Sequence, residues 1–248
     1  MSGHSKWSTI KRQKGAADAK RGQLFTKLAR EITVAARAGL PDPDSNARLR
    51  LAVDRARAAS MPKENIERAI QRAAGLGAGD QFDELFYEGY GPGGAALMIQ
   101  AQTDNRNRTV GEVRAVLTRA GGTLGESGSV GWMFDQTGMI EIPTAGADSD
   151  DIALVAIDAG ATDVEAEEGI VSIYTDPADL HRVREALQGA GFDVEAAQLT
   201  MRPKTLVAPE PDVAVKVIRL VEKLEDLDDV QEVFTNVDIT DEVLAAAM

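Results

Sequence analysis

The sequence predicts an α+β protein: a three-helix domain at the N-terminus, then two ferredoxin-like α+β lobes, one inserted in the other. Three observations predict it. Apolar residues recur at helical spacing as far as Gly75, and beyond a glycine-rich linker the period changes to two. Residues 138–200 then hold a complete strand–helix–strand–strand–helix–strand order, the ferredoxin-like arrangement.

The elements follow in order. Residues 1–22 are small and polar around Trp7, with too little apolar surface to offset ordering entropy, and predict a basic arm that is mobile when free. The three-helix domain spans 23–78. Its first helix carries Leu24, Leu28, Ile32 and Ala35 on one face and ends at Gly39-Leu40-Pro41. The second is capped by Asp44 or Ser45 and buries Leu49, Ala52, Val53 and Ala56. The third has Pro62 at its first position, Glu64 in its first turn, and Ile66, Ala69 and Ile70 inward.

An α+β domain is predicted from 79–137 plus 201–240. It begins with strands at Phe86–Tyr90 and Ala95–Thr103 around Gly91-Pro-Gly-Gly94. A helix follows from Thr109 to Ala120 behind the capping box Thr109-Val-Gly-Glu112, and a strand at Gly131–Gln136 closes the unit. The 138–200 lobe is inserted there. A strand near Thr205–Val207, a helix at Asp212–Leu227 and a strand at Val230–Val237 complete the outer lobe.

Charge is divided unevenly. The net charge is −13, yet residues up to Gly75 carry 16 Lys and Arg against 7 Asp and Glu, while the rest carry 11 against 33. A basic end on an acidic body turns that end toward a polyanion, because phosphate is met by local charge. A solvated basic face with no ligand is the plainer alternative. The absence of cysteine excludes disulfides, thiolate nucleophiles and Cys-built zinc sites. No apolar run reaches the roughly 18 residues of a membrane span, and no secretory signal opens the chain, so a cytoplasmic protein is expected. The Ser-containing, acid-poor start also fits a transit peptide.

Candidate binding residues lie in three places. In the arm, Lys6, Lys11, Arg12, Lys14, Lys20 and Arg21 can meet phosphates, and Trp7 offers a ring on which an unpaired base can stack. On the first helix, Lys27 and Arg30 share a face with Arg37. In Asn105-Arg106-Asn107-Arg108-Thr109, Arg106 and Arg108 crowd a helix N-terminus that itself favours anions; a capping loop with two solvated arginines explains the segment equally well. The Gly121–Gly131 segment has the glycine density of a phosphate loop but lacks the Lys-[Ser/Thr] ending, and reads as a structural turn. No catalytic residues are found. His4 and His181 have no Ser or Asp partner at useful spacing, Asp148, Asp150 and Asp151 fit a first helical turn, and Glu165, Glu167 and Glu168 fit a charged edge. Neither a metal nor a cofactor is expected.

Met1-Ser-Gly-His-Ser-Lys-Trp-Ser-Thr-Ile-Lys11, Lys14–Arg21, Tyr87-Glu-Gly-Tyr-Gly-Pro-Gly-Gly94 and Thr103-Asp-Asn-Arg-Asn-Arg-Thr109 together closely resemble the YebC/PmpR family. The resemblance runs from the first residue through the final strand. It implies a helical domain, two α+β lobes, no catalysis and a role in regulating gene expression. Members are described as DNA-binding transcriptional regulators, mitochondrial relatives as translational activators, and bacterial members also as ribosomal factors easing synthesis of proline-rich stretches. The expected partner is therefore nucleic acid, DNA or ribosomal RNA, with the ribosome as an alternative partner, no membrane, and a monomeric chain. A flexible arm bearing Trp7 suits a folded RNA crevice better than a long duplex, whereas the family description favours DNA. A nuclease would need clustered carboxylates with a divalent metal, and a small-molecule sensor a ligand in the acidic lobes.

Overall fold

The computed structural model describes residues 18–75, 82–144, 146–167 and 169–247. In chain order its elements are helices α1 (Asp18–Ala38), α2 (Ala47–Ala58) and α3 (Lys63–Ala74), strands β1 (Asp83–Tyr90) and β2 (Ala96–Thr103), helix α4 (Arg106–Arg119) and the short strand β3 (Thr123–Leu124). Strand β4 (Phe134–Pro143), helix α5 (Ser149–Asp158), strands β5 (Asp163–Glu167) and β6 (Ile170–Thr175), helix α6 (Leu180–Gly189) and strand β7 (Ala196–Pro203) follow. Helix α7 (Pro211–Glu225), strand β8 (Val230–Thr235) and helix α8 (Asp241–Ala247) end the chain.

The first three helices close their apolar stripes on one another around Leu28, Ile32, Leu49, Val53, Met61 and Ile66. Helix α1 starts earlier than the arm boundary at residue 22, so Lys20 and Arg21 belong to its first turn. Gly22 costs a helix roughly 1 kcal/mol relative to Ala, which the docking of Gln23 and Lys27 described below offsets. The cap of α2 is Asn46, not Asp44 or Ser45: its Oδ1 accepts from Leu49 N at 3.0 Å. Its Nδ2 donates to the α1 carbonyl of Ala35 and to Leu40 O, both at 2.9 Å. Asp42 instead gathers Ser45 and the Asp44 amide into a turn. Pro62 is the cap of α3, one place before its first residue.

Two four-stranded sheets carry the rest, in the orders β3-β1-β2-β8 and β5-β6-β4-β7, with antiparallel pairing throughout. The second is the ferredoxin-like sheet, and β4 through β7 lie in sequence between β3 and α7 of the first lobe: one lobe is inserted in the other. In the first lobe α4 and α7 cover the sheet around Leu97, Ile99, Val113, Leu117, Val217 and Leu224. In the second, α5 and α6 do so around Ile140, Ile152, Val171, Ile173, Val183 and Leu187. A smaller cluster joins the two, Met98 and Phe234 of the first sheet meeting Val130, Phe134 and Met201.

Three further expectations are corrected. Helix α4 begins at Arg106 behind Asn105, whose Oδ1 accepts from Arg108 N at 3.1 Å, and Thr109 is buried one turn inside rather than capping. The first unit closes with β3, not at 131–136; Phe134–Gln136 already pair with β7 as the start of β4. Strand β4 runs on through Gly138. A Cβ there would lie 2.3 Å from Thr175 Oγ1 and 2.9 Å from Leu180 Cβ, so glycine lets α6 pack on the sheet. No strand forms at 205–207, where Val207 makes one isolated parallel bridge to Val237.

Candidate nucleic-acid interface

Helix α1 docks on the corner between α7 and β8 through side chains predicted to meet phosphate. Lys27 Nζ donates to the carbonyl of Glu225, and Gln23 Nε2 donates to Asp226 O at 2.6 Å. They satisfy carbonyls at the C-terminal end of α7, where the helix dipole favours a cation. Arg30 Nη1 donates to Gln102 O at 2.9 Å and Asp228 O at 2.8 Å, and pairs with Asp229 at 3.1 Å. Its side chain is only 12 % exposed, and its guanidinium lies over the Phe82 ring. Arg30 and Lys27 therefore tie the helical domain to the first lobe. Helix α2 is engaged likewise: Arg48 pairs with Glu84 at 2.5 Å, Asp54 with Arg184 at 2.8 Å, and Arg50 meets His181 Nε2 at 2.7 Å. Part of the basic charge of the N-terminal third thus faces the acidic body of the same chain.

The arginines at the start of α4 are also held. Arg106 Nε donates to Asp83 at 2.7 Å; Arg108 Nη2 meets Asp229 at 2.6 Å and Asp104 at 2.7 Å. Asp229 is the hub. It is 2 % exposed and accepts from Arg30, Arg108, Thr103 and Thr109. Burial pushes its carboxyl up, but the hydrogen bonds from Arg108, Thr109 and Thr103 outweigh this and hold it below the ordinary carboxylate range. The sequence pattern around 105–109 reads locally as an anion site because Asp229 is more than a hundred residues away in the chain.

Other cations have no such partner. Beyond Gly75, Arg106, Arg108, Arg182, Arg184, Arg202 and Lys204 all stand in ion pairs. Arg114 and Arg119 on α4, and Lys216, Arg219 and Lys223 on α7, are exposed and make no ion pair among the described residues. The α7 residues fall at i, i+3 and i+7 on one stripe, and α4 packs beside α7. Counting charge by segment hid this patch under the acidic total; helical spacing across two separated segments was the signal that could find it. Docking of Gln23 and Lys27 sets the first turns of α1 beside the last turn of α7, where Lys223 sits. On α3, Arg68 and Arg72 are exposed and also lack a carboxylate partner among the described residues. Lys6, Trp7, Lys11, Arg12 and Lys14 lie outside the described residues, as do His4, the Lys20 side chain and Glu168.

The glycine-rich loop is a cradle, already filled from within. Gly128 N, Val130 N and Gly131 N each donate to the Glu88 carboxylate at 2.7 Å. Burial pushes that carboxyl up, and these three amides hold it below its usual range. A loop that resembles a phosphate site in sequence is a turn wrapped around a strand carboxylate. Asp148 caps α5, accepting from Asp150 N at 3.0 Å, and Glu165 pairs with Arg202 at 2.6 Å. Among the described residues no group of three His, Asp or Glu could hold a metal ion, and no helix is long and apolar enough to cross a membrane.

Comparison with known proteins agrees with this architecture. Residues 5–76 match the TACO1/YebC protein N-terminal domain, and residues 82–237 match the TACO1/YebC second and third domain. A "probable transcriptional regulatory protein" of Roseiflexus castenholzii is 56% identical over 98% of this chain and 97% of its own. One from Citrifermentans bemidjiense is 50% identical over the full length of both. The crystal structure of a conserved hypothetical protein from Aquifex aeolicus superposes with a TM-score of 0.84 at 49% identity, covering 92% of this chain and 94% of that one. By its motifs, its fold and these matches, the chain belongs to the TACO1/YebC family.

Proposed function

We propose that the chain is a non-enzymatic, cytoplasmic regulator of gene expression that works by binding nucleic acid. The observation that carries the reading is the sorting of its cations: most arginines of the body are neutralised internally, whereas among the described residues Arg114, Arg119, Lys216, Arg219 and Lys223 on the adjoining helices α4 and α7, and Arg68 and Arg72 on α3, make no ion pair. Unpaired surface cations on adjoining helices release counterions when they meet phosphates, which drives sequence-independent binding. The basic residues of the arm, Lys6, Lys11, Arg12, Lys14, Lys20 and Arg21, with Trp7, add further phosphate and base contacts in this reading. The names of the relatives support transcriptional regulation through DNA. A ribosome-associated translation factor is the second reading, favoured by the cleft between α1 and α3, whose volume of about 480 Å³ suits one nucleotide rather than a duplex.

Fluorescence anisotropy of the full chain against duplex DNA, a structured ribosomal RNA fragment and purified ribosomes, over a salt series, tests the proposal. Affinity that falls linearly in log–log form with salt, by several units of slope, is expected for at least one of them. No salt-dependent binding to any of the three defeats it. Turnover of labelled nucleic acid with added magnesium would defeat the non-enzymatic part.

A further inference from the structure

The valley between α1 and α3 is lined by Phe25, Arg30, Asn65, Arg68, Arg72 and Phe82. Its walls combine two phenyl rings with the exposed guanidinium groups of Arg68 and Arg72, the composition of sites that stack a base and hold its phosphates, while the guanidinium of Arg30 is held by Asp229 against one face of Phe82. The Nε–H of Arg30 is buried and has no acceptor. That guanidinium is fixed by Asp229, Gln102 O and Asp228 O, so Arg30 forms a rigid floor to the valley. Arg68 and Arg72 stand at i and i+4 on α3, where like charges repel. The nearby Glu67 pairs with Lys63 at 3.5 Å rather than with either arginine, and Arg68 has only Asn65 Oδ1 at 3.4 Å. The backbone positions of Arg68 and Arg72 are about 6 Å apart along the helix axis, close enough for the two side chains to reach the phosphates on either side of one nucleotide.

We infer that this cleft receives one unpaired nucleotide of a nucleic-acid chain, its base against Phe82 and Phe25 and its flanking phosphates on Arg68 and Arg72. The inference rests on the nucleic-acid reading above and narrows it: the cleft takes single-stranded chain and refuses a continuous duplex, whose bases are already stacked. Asp104 lies at the rim but is engaged by Arg108 at 2.7 Å, which leaves the net charge of the cleft positive.

The probe is a short single-stranded RNA with a central 2-aminopurine, compared with the blunt duplex of the same sequence. With the wild-type chain, 2-aminopurine fluorescence of the single strand falls severalfold on binding, and that of the duplex does not change. Phe82→Leu, which keeps an apolar side chain, should bind the strand about tenfold more weakly, the loss of one stacking partner, with the duplex unaffected. Arg68→Ala with Arg72→Ala should lower the single-strand salt slope by roughly 1–2 units. These two arginines are exposed, so this variant keeps the test valid if Phe82→Leu is misfolded by its melting curve. Wild-type binding without quenching, or equal losses on strand and duplex, overturns the cleft while leaving nucleic-acid binding standing. Absence of binding to either probe overturns the cleft, while the salt series on DNA, ribosomal RNA and ribosomes decides the nucleic-acid reading separately. Displacement of the strand by an equal concentration of free adenosine or uridine monophosphate would make a free nucleotide the ligand, and overturns binding of the chain.

Discussion

In the first lobe α4 and α7 cover one face of the sheet and carry Arg114, Arg119, Lys216, Arg219 and Lys223, none in an ion pair among the described residues. In the second, α5 and α6 cover the corresponding face of a sheet with the ferredoxin-like order, yet their outward surface is different in kind. Helix α5 bears acids in its first turn and leaves Leu154 and Ile157 61% and 59% exposed. The cations of α6 are turned inward or along the chain, Arg184 to Asp54 and Arg182 to Asp179. One architecture therefore supplies a cationic layer in one lobe and a docking surface for α2 in the other. What differs is whether each cation has an internal carboxylate, and the strand order says nothing of that.

The largest expected effect tests the tie between the helical domain and the first lobe. Asp229→Ala leaves Arg30 buried without its carboxylate and should destabilise the chain by about 3–5 kcal/mol in urea unfolding. Removing Arg184 from the second lobe's tie should cost less, roughly 1.5–3 kcal/mol, because its partner Asp54 stays partly exposed. Equal losses would mean that the two lobes hold the helices alike. Acid sharpens the same contrast. Asp229 and Glu88 are both held below the ordinary carboxylate range, so the stability they contribute is complete above about pH 5 and is lost as pH falls through their lowered values. In Asp229→Ala the stability lost between neutral pH and pH 3 should be smaller than in wild type; an unchanged acid limb would remove Asp229 from the account.

Next in size is the cradle of the glycine loop. Glu88→Gln keeps the shape but offers the three amides one neutral oxygen in place of a carboxylate, and should cost roughly 1.5–3 kcal/mol. Nucleic-acid affinity should not change. A loss of affinity without a loss of stability would show that the loop contributes to binding after all.

Much of this was legible in the sequence. The nested lobes followed from element order, since a ferredoxin-like pattern complete within residues 138–200 leaves the flanking strands and helices to pair with each other. The resemblance carried by the opening motif and the Asn105–Thr109 segment led to the family. The site was less legible, for a definite reason. Lys27, Arg30, Arg106 and Arg108 read as ligands for an external anion on their own charge, with Glu31 and Asp104 close by in sequence, while Asp229, Asp83 and the Glu225 carbonyl that meet them come from distant segments or another strand. Local charge finds cations; only the fold shows which of them are already answered.

A smaller effect is expected from the surface that the lobes do not share. Lys216→Ala, Arg219→Ala and Lys223→Ala combined should lower the duplex salt slope by about 2–3 units, near one per phosphate contact, with an unchanged melting curve. Leu154→Ser with Ile157→Ser on the second lobe should leave the slope unchanged. Matching losses in both variants would erase the distinction between the two helical layers.

The smallest expected effect concerns Arg106, on the boundary between the two kinds of cation. Its side chain is 68% exposed, so geometry permits a phosphate to reach it, but its Nε already donates to Asp83 at 2.7 Å. A phosphate would have to displace that carboxylate and leave it facing a polyanion, so the gain from one contact is largely cancelled. Arg106→Ala should therefore change the salt slope by well under one unit and leave the melting temperature where it was. The pair has a signature of its own. The hydrogen bond from Arg106 is the largest influence holding the Asp83 carboxyl below its ordinary value, so in Arg106→Ala its titration, followed by NMR, should move up toward that value. If the slope instead falls by a full unit, Arg106 joins the cations of α4 and α7, and the first lobe's binding layer extends to the N-terminus of α4.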